Sequence, residues 1–202
     1  MNQAKIILAS QSPRRKELLA REGIAFTVYV TDADETVSED MAPNELVAEL
    51  SYRKAQSAAQ AFLGEEVLVV AADTVVALDN EIFGKPVDEA DARRMLQLLS
   101  GKAHSVFTGV TLAYVAKEKV AYQKKVCETK VYFYPITEEE IAAYINTGEP
   151  FDKAGSYAIQ GIASKFVKKI EGDFDNVVGL PVFAILEELQ EYAKQGGVKP
   201  EC

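Results

Sequence analysis

The sequence predicts a mixed α/β fold, one unit built as two lobes with a cleft between them. Three observations lead there. Strand-like and helix-like segments alternate along all 202 residues, with no internal repeat and no low-complexity linker. One run, Val67-Leu68-Val69-Val70-Ala71-Ala72, is apolar without a break, the pattern of a strand covered on both faces. Capping residues and glycine stops punctuate the chain where that alternation needs them.

Ile6-Ile7-Leu8-Ala9 is a short apolar run that passes through Ser10-Gln11 into a helix. Ser12 suits the N-cap and Pro13 the first helical position, where a missing N–H costs nothing. The helix is expected to reach Arg21 and stop at Gly23. Ala25–Val30 alternates like a strand and leads to an acidic loop, Thr31-Asp32-Ala33-Asp34-Glu35-Thr36. From Pro43 to Phe62 the apolar stripe is helical, with Lys54 at its border. The run 67–72 then meets Asp73-Thr74, expected at the carboxyl end of a central strand, although Val75–Leu78 continues apolar to a turn at Asp79-Asn80. Ile82-Phe83-Gly84-Lys85-Pro86 reads as a loop. Asp88 caps a helix to Leu99, with Gly101 as its stop. His104–Val115 and Lys125–Tyr134 read as a hairpin around Lys117-Glu118-Lys119. Thr137-Glu138-Glu139-Glu140 is a capping box opening a helix to Asn146. After a glycine-punctuated loop, Glu149–Gly161, come a strand at Phe166–Ile170 and a final helix beyond Val177–Pro181.

Composition limits the function. Hydrophobic residues at 48% and charged residues at 26% are ordinary for a globular protein. A net charge of -9 argues against non-specific binding of nucleic acid or an anionic membrane. An anion would therefore bind in a local basic pocket. The N-terminal residues carry no signal-peptide pattern, and no stretch approaches the roughly 18 apolar residues of a spanning helix, so a cytoplasmic protein is expected. Cys127 and Cys202 read as an incidental strand residue and a free terminal thiol. His104 is the only histidine, so counting excludes a site of several histidines, and neither a Ser-His-Asp triad nor a His-ligated metal is expected. A structural hydrogen bond is its expected role.

Several residues could carry chemistry. The strand-to-helix junction at Ser10–Pro13 leaves backbone N–H groups at the positive end of a helix dipole, a ready anion site. Arg14 and Arg15 in that first turn are disfavoured by the dipole unless a polyanion reverses the sign. Their fork geometry suits phosphate, although such a pair is also an ordinary solvated surface feature. No GxxxxGK[ST] or GxGxxG occurs, so a phosphate site would rest on side chains. The acidic loop is either a solvated turn or a source of oxygen ligands for a hard cation. Asp73 within an apolar run is costly unless paired or on a metal. Lys54 reads alone as a snorkelling lysine, Lys85 as a loop lysine. Gln160, between Ile159 and Gly161, is either a surface amide or a reader of a base edge, since an amide both donates and accepts.

Eight segments in order, spanning nearly the whole chain, carry a resemblance. They are Leu8-Ala9-Ser10-Gln11-Ser12-Pro13-Arg14-Arg15, Arg53-Lys54-Ala55, Ala72-Asp73-Thr74, Gly84-Lys85-Pro86, Leu99-Ser100-Gly101, Asp152-Lys153-Ala154-Gly155, Ile159-Gln160-Gly161 and Val178-Gly179-Leu180-Pro181. Together they resemble the Maf family of nucleoside triphosphate pyrophosphatases, which shares an elongated two-lobed α/β fold with the inosine triphosphate pyrophosphatases. The resemblance implies that Ser10, Arg14, Arg15, Lys54 and Lys85 grip the triphosphate. It implies that Asp73 is the catalytic acidic residue and that Glu35 stands at an acidic position of the site; their oxygen ligands are expected to hold a divalent metal cation, Mg²⁺ or Mn²⁺. Arg14, Thr74 and Gln160 match the positions that divide the family by substrate. Their identities look like the branch acting on dTTP, UTP and modified pyrimidine nucleotides, a house-cleaning activity. The alternatives are a purine-selective pyrophosphatase of the same fold, or a nucleotide-responsive regulator of septum formation and cell division. The family also suggests a homodimer.

Overall fold

A computed structural model describes residues 5–37, 41–79 and 81–195. Asn80 and Cys202 lie outside those residues. The chain divides into two compact units. The first comprises Met1–Asp73, Thr108–Cys127 and Gly179–Cys202, the second Thr74–Phe107 and Glu128–Val178. Seven strands, β1 (Lys5–Leu8), β2 (Thr27–Val28), β3 (Glu66–Leu78), β4 (Glu81–Phe83), β5 (Ala103–Ala116), β6 (Lys119–Phe133) and β7 (Val167–Glu171), hydrogen-bond in the order β2-β1-β3-β5-β6-β7, with β4 on β3. The mixed α/β organisation read from the sequence is therefore present.

In the first unit β1 pairs parallel to both β2 and β3, Ile7 standing opposite Thr27 on one side and Val69 on the other. Val67, Val69 and Ala71 are buried on one face of β3 with Ala55, Ala58 and Ala59 of helix α2 (Pro43–Ala61). Leu68, Val70 and Ala72 on the opposite face are equally buried, as the unbroken apolar run requires. α2 lies unusually close to β5: a Cβ on Gly109 would meet the Val47 carbonyl oxygen at 2.2 Å. Ser51 and Thr111, whose hydroxyls are 3.0 Å apart, tie the same two elements together.

Helix α1 (Pro13–Arg21) starts and stops where its caps place it. Ser12 Oγ accepts the Arg15 N–H, and Gly23 adopts a φ of 69°. Helix α6 (Val182–Gln195) completes this unit, with Lys125 of β6 donating to the Glu188 carboxylate and the Ala184 carbonyl.

In the second unit β3 and β4 form an antiparallel pair, Val76 opposite Phe83, joined at Asp79 with a φ of 51°. Helix α3 (Glu89–Leu99) is capped by Asp88, whose carboxylate accepts the Asp91 N–H at 2.8 Å. Helix α4 (Glu138–Ile145) has its full capping box: Glu140 accepts the Thr137 N–H and Thr137 Oγ1 accepts the Glu140 N–H. A short helix α5 (Phe174–Val178) follows β7. The core is aromatic. His104, Phe133 and Tyr157 meet edge to face with centroids 4.8 to 5.4 Å apart, and Phe166 joins Phe133 and Tyr144. His104 Nε2 lies 2.8 Å from the Tyr157 hydroxyl, the structural hydrogen bond expected of it. Burial lowers its pKa to about 4.

Four boundaries differ from the sequence reading. The strand expected over Ala25–Val30 contracts to Thr27–Val28; beyond Val28 β1 has ended, at Leu8, and offers no further partner. Ile82 and Phe83 belong to β4, not to a loop. β6 begins at Lys119 instead of Lys125, since Val120 and Tyr122 pack on the α2-facing core despite their polar neighbours. Finally, Asp73 is not at the carboxyl end of its strand: β3 runs through it to Leu78.

Candidate functional site

Six of the residues singled out in the sequence, Ser10, Arg14, Arg15, Glu35, Lys54 and Asp73, belong to the first unit. β1 ends at Leu8, and the next four residues turn the chain into α1. Ser10 is 9% exposed, and its hydroxyl accepts the Ser12 N–H at 3.2 Å and Arg15 Nη1 at 3.3 Å. Arg15 Nε donates to the Gly179 carbonyl at 2.7 Å, so the guanidinium is oriented from both ends. Desolvation lowers the Arg15 pKa. The charge of Asp73 opposes this, Arg14 adds to it, and Glu35 opposes it. The arginine therefore lies within the field of both carboxylates, and the two guanidiniums at the start of α1 repel each other.

Lys54 projects from the border of the buried face of α2. Its ammonium stands 2.5 Å from Asp73 Oδ1 and 2.9 Å from Glu35 Oε1. The Lys54 and Asp73 side chains are only 15% and 14% exposed, whereas Glu35 is 61% exposed. A cation thus joins a shielded carboxylate in mid-strand to a carboxylate on an open loop. This answers why Asp73 is tolerated inside an apolar strand: its charge is paired. Lys54 does not simply snorkel to water.

The loop bearing Glu35 has no regular secondary structure. Asp34 Oδ1 accepts the Thr36 N–H at 2.8 Å, which holds the Asp34 carboxyl below its usual range. Arg53 Nη1 donates to the Thr36 carbonyl at 2.6 Å and to the Asp34 carbonyl at 3.4 Å, while its Nε donates to Glu49 at 2.7 Å.

Among the described residues, no group of three or more His, Cys, Asp or Glu side chains is arranged to hold a metal ion. Two carboxylates on one small centre still fit Mg²⁺, which commonly takes one or two protein carboxylates and completes its shell with phosphate oxygens and water. Glu35 and Asp73 are such an all-oxygen pair.

Thr74, Lys85 and Gln160 belong to the second unit. Thr74 is half-buried in β3, next to Asp73 in the chain and on the opposite face of the strand. Lys85 and Gln160 are exposed on loops. These loops are held within their unit. The Gly84 carbonyl accepts the Gly155 N–H at 3.0 Å, and Gly155, at a φ of 67°, leaves no room for a Cβ, which would lie 2.9 Å from the Val76 side chain. The Glu149 carboxylate accepts the Tyr144 hydroxyl at 3.0 Å and the Ile162 N–H at 3.2 Å. It thereby anchors the chain just beyond Gln160.

Sequence reasoning gave no role to three residues that shape these sites. Gly179 acts through a carbonyl 164 positions from Arg15 and has no local signal. Arg53 sits four residues after Glu49, a helical ion-pair spacing that could have drawn notice. Glu149 opens a loop in which only the amide and the glycines stood out.

A family model described as Maf-like protein matches residues 5–192, a span that contains every candidate from Ser10 to Gln160. A protein of Agathobacter rectalis named dTTP/UTP pyrophosphatase is 48% identical over 93% of this chain and 97% of its own length. One of Bacillus cereus with the same name is 47% identical over 95% of this chain and 91% of its own, and one of Bacillus thuringiensis is 47% identical over 93% and 95%. Among solved structures, the Staphylococcus aureus Ham1 protein is similar at a TM-score of 0.48 and 14% identity, over 93% of this chain and 98% of that one. Likeness at that level leaves the assignment to the sequence relatives. With a match over nearly the whole length and almost half of all residues shared, the chain belongs to the Maf-like protein family.

Proposed function

We propose that the protein is a nucleoside triphosphate pyrophosphatase acting on dTTP and UTP, releasing the nucleoside monophosphate and pyrophosphate. The observation that carries the reading is the Lys54 bridge between Asp73 and Glu35, in the same unit as Ser10 and the arginine pair of α1. The relatives named dTTP/UTP pyrophosphatase support the choice of substrate.

The chemistry follows from charge. A triphosphate carries about four negative charges, and phosphoryl transfer depends mostly on positioning and on stabilising phosphoryl oxygens. Arg14 and Arg15 at the start of α1 answer that charge, and Lys54 and Lys85 add two more cations. Water adds to a phosphorus of the α–β bridge, the bridging P–O bond breaks and pyrophosphate leaves. Asp73, held at Oδ1 by Lys54, orients the attacking water or accepts its proton. Glu35 and Asp73 would hold Mg²⁺ or Mn²⁺, whose charge stabilises phosphoryl oxygens and lowers the pKa of water. Thr74 and Gln160 would read the base.

Product analysis tests the reading. With dTTP and Mg²⁺ the products should be dTMP and pyrophosphate. Release of dTDP and orthophosphate would refute the cleavage position. A tight complex with dTTP that is never hydrolysed would turn the reading to a nucleotide-responsive regulator.

A further inference from the structure

Glu35 faces a problem that Asp73 does not. Asp73 is fixed by the strand that contains it, whereas Glu35 lies on a segment without helix or strand, 61% exposed, and yet must meet the same ammonium as Asp73. Its backbone is restrained from two directions. Inside the loop, Asp34 Oδ1 accepts the Thr36 N–H at 2.8 Å, closing a turn around Glu35. Outside it, one nitrogen of Arg53 reaches the carbonyls on both sides of Glu35, at 2.6 Å to Thr36 and 3.4 Å to Asp34. Arg53 is itself aimed by Glu49, one helical turn earlier, through a 2.7 Å charge-assisted bond to Nε.

We infer that Arg53 is the positioning residue for Glu35: it clamps the loop so that the Glu35 carboxylate is delivered to Lys54 and Asp73. Arg53 and Lys54 are consecutive on α2, so one rigid helix carries both the ammonium that receives Glu35 and the guanidinium that holds its backbone. The distance between the two contacts is then set by helix geometry and not by the loop. The guanidinium suits this task because its planar fork serves a carboxylate with one edge and carbonyls with another; a lysine offers a single compact charge. The inference rests on the function proposed above for Glu35, although the clamp itself does not depend on it.

Two measurements separate those layers. Hydrogen exchange of peptides covering residues 29–37 reads the clamp directly, without substrate. In Arg53→Ala these amides should exchange about tenfold faster while peptides from the middle of α2 keep their protection. Unchanged exchange in residues 29–37 would overturn the inference, whatever the protein's activity. Steady-state pyrophosphate release from dTTP then reads the consequence. Arg53→Ala should lose about 10- to 100-fold in kcat, the usual effect of removing a group that orients a ligand-binding carboxylate. Arg53→Lys should recover only part, and Arg53→Ala combined with Glu35→Gln should be no slower than Glu35→Gln alone, because Arg53 acts through Glu35. Multiplicative losses in the double variant would show an independent role and overturn the assignment. Should Arg53→Ala fold poorly, Arg53→Lys and Glu49→Gln carry both measurements. Wild-type protein that releases no pyrophosphate would defeat the proposed function and leave the exchange result to decide the clamp.

Discussion

Lys54 Nζ and Asp73 Oδ1 stand 2.5 Å apart, joining the border of a helix stripe to the middle of a strand that is otherwise apolar. The pair does two things at once. It neutralises a carboxylate that burial would penalise, and it fixes that carboxylate at a chosen place. Removing one partner of a shielded ion pair leaves the other charge uncompensated, at about 3–5 kcal/mol when the pair is fully buried and less at the partial exposure seen here.

Lys54→Met should therefore lose both stability and turnover. Asp73 and Glu35 would be left as like charges on one centre, repelling each other and the incoming triphosphate. The expected result is a fall in kcat of about 100-fold or more together with a raised KM for dTTP. Kinetics at several Mg²⁺ concentrations would check it; a variant with wild-type kcat would show that Lys54 only balances charge in the fold.

Gln160 is exposed on a loop anchored by Glu149 and belongs to the second unit, whereas Asp73, Lys54 and Glu35 belong to the first. Gln160→Ala should change the order in which dTTP, UTP, dCTP and dGTP are cleaved, with loss on the preferred bases of about 10-fold or more, as for a lost polar contact to a substrate. The products should stay monophosphate and pyrophosphate. An unaltered order across the panel would show that this amide does not read the base.

His104 gives the fold a pH dependence of definite sign. Burial lowers its pKa to about 4, against an ordinary value of 6.5. The unfolded chain therefore takes up a proton on descending through pH 6.5, while the folded chain refuses it until about 4. Stability is complete above 6.5 and falls toward pH 4, by about 3 kcal/mol from this group at roughly 1.4 kcal/mol per unit. His104→Gln, which cannot titrate, should lose less stability between pH 6.5 and 4 in denaturant titrations. An equal loss in both proteins would place the acid sensitivity elsewhere.

Gly109 is required for a different reason. A Cβ there would lie 2.2 Å from the Val47 carbonyl oxygen, and α2 cannot move away without breaking the Ser51–Thr111 contact. Gly109→Ala should cost about 3 kcal/mol or more, the upper part of the range for overpacking. In a chain of this length that is a drop in Tm of about 6–12 °C. Because α2 carries Arg53 and Lys54, activity in the surviving folded protein should fall as well.

What the sequence revealed depended on how far apart the interacting groups stand. Ser12, Asp88 and Thr137 were legible as caps because each bonds to a backbone N–H three residues on, and the residue types that do so are few. The unbroken apolar run of β3 marked a doubly covered strand, and Asp73 inside it marked a charge needing a partner. The partner's identity was not legible, since Lys54 lies 19 positions away on a helix where it looks like any border lysine. The Arg15–Gly179 bond spans 164 positions and uses a carbonyl, which every residue has. β4, three residues long, and the polar start of β6 were lost because too few apolar residues alternate there to mark a strand. The resemblance implied roles for residues that spacing alone left open.

The account centres on Asp73 as the base of a pyrophosphatase, and the most direct test is pyrophosphate release from dTTP and UTP by wild type and Asp73→Asn, with Mg²⁺ present. Asparagine keeps the volume and removes the charge. The wild type should release pyrophosphate with both nucleotides, and the variant should be slower by about 100-fold or more. A variant that turns over at nearly the wild-type rate would contradict the assignment of Asp73.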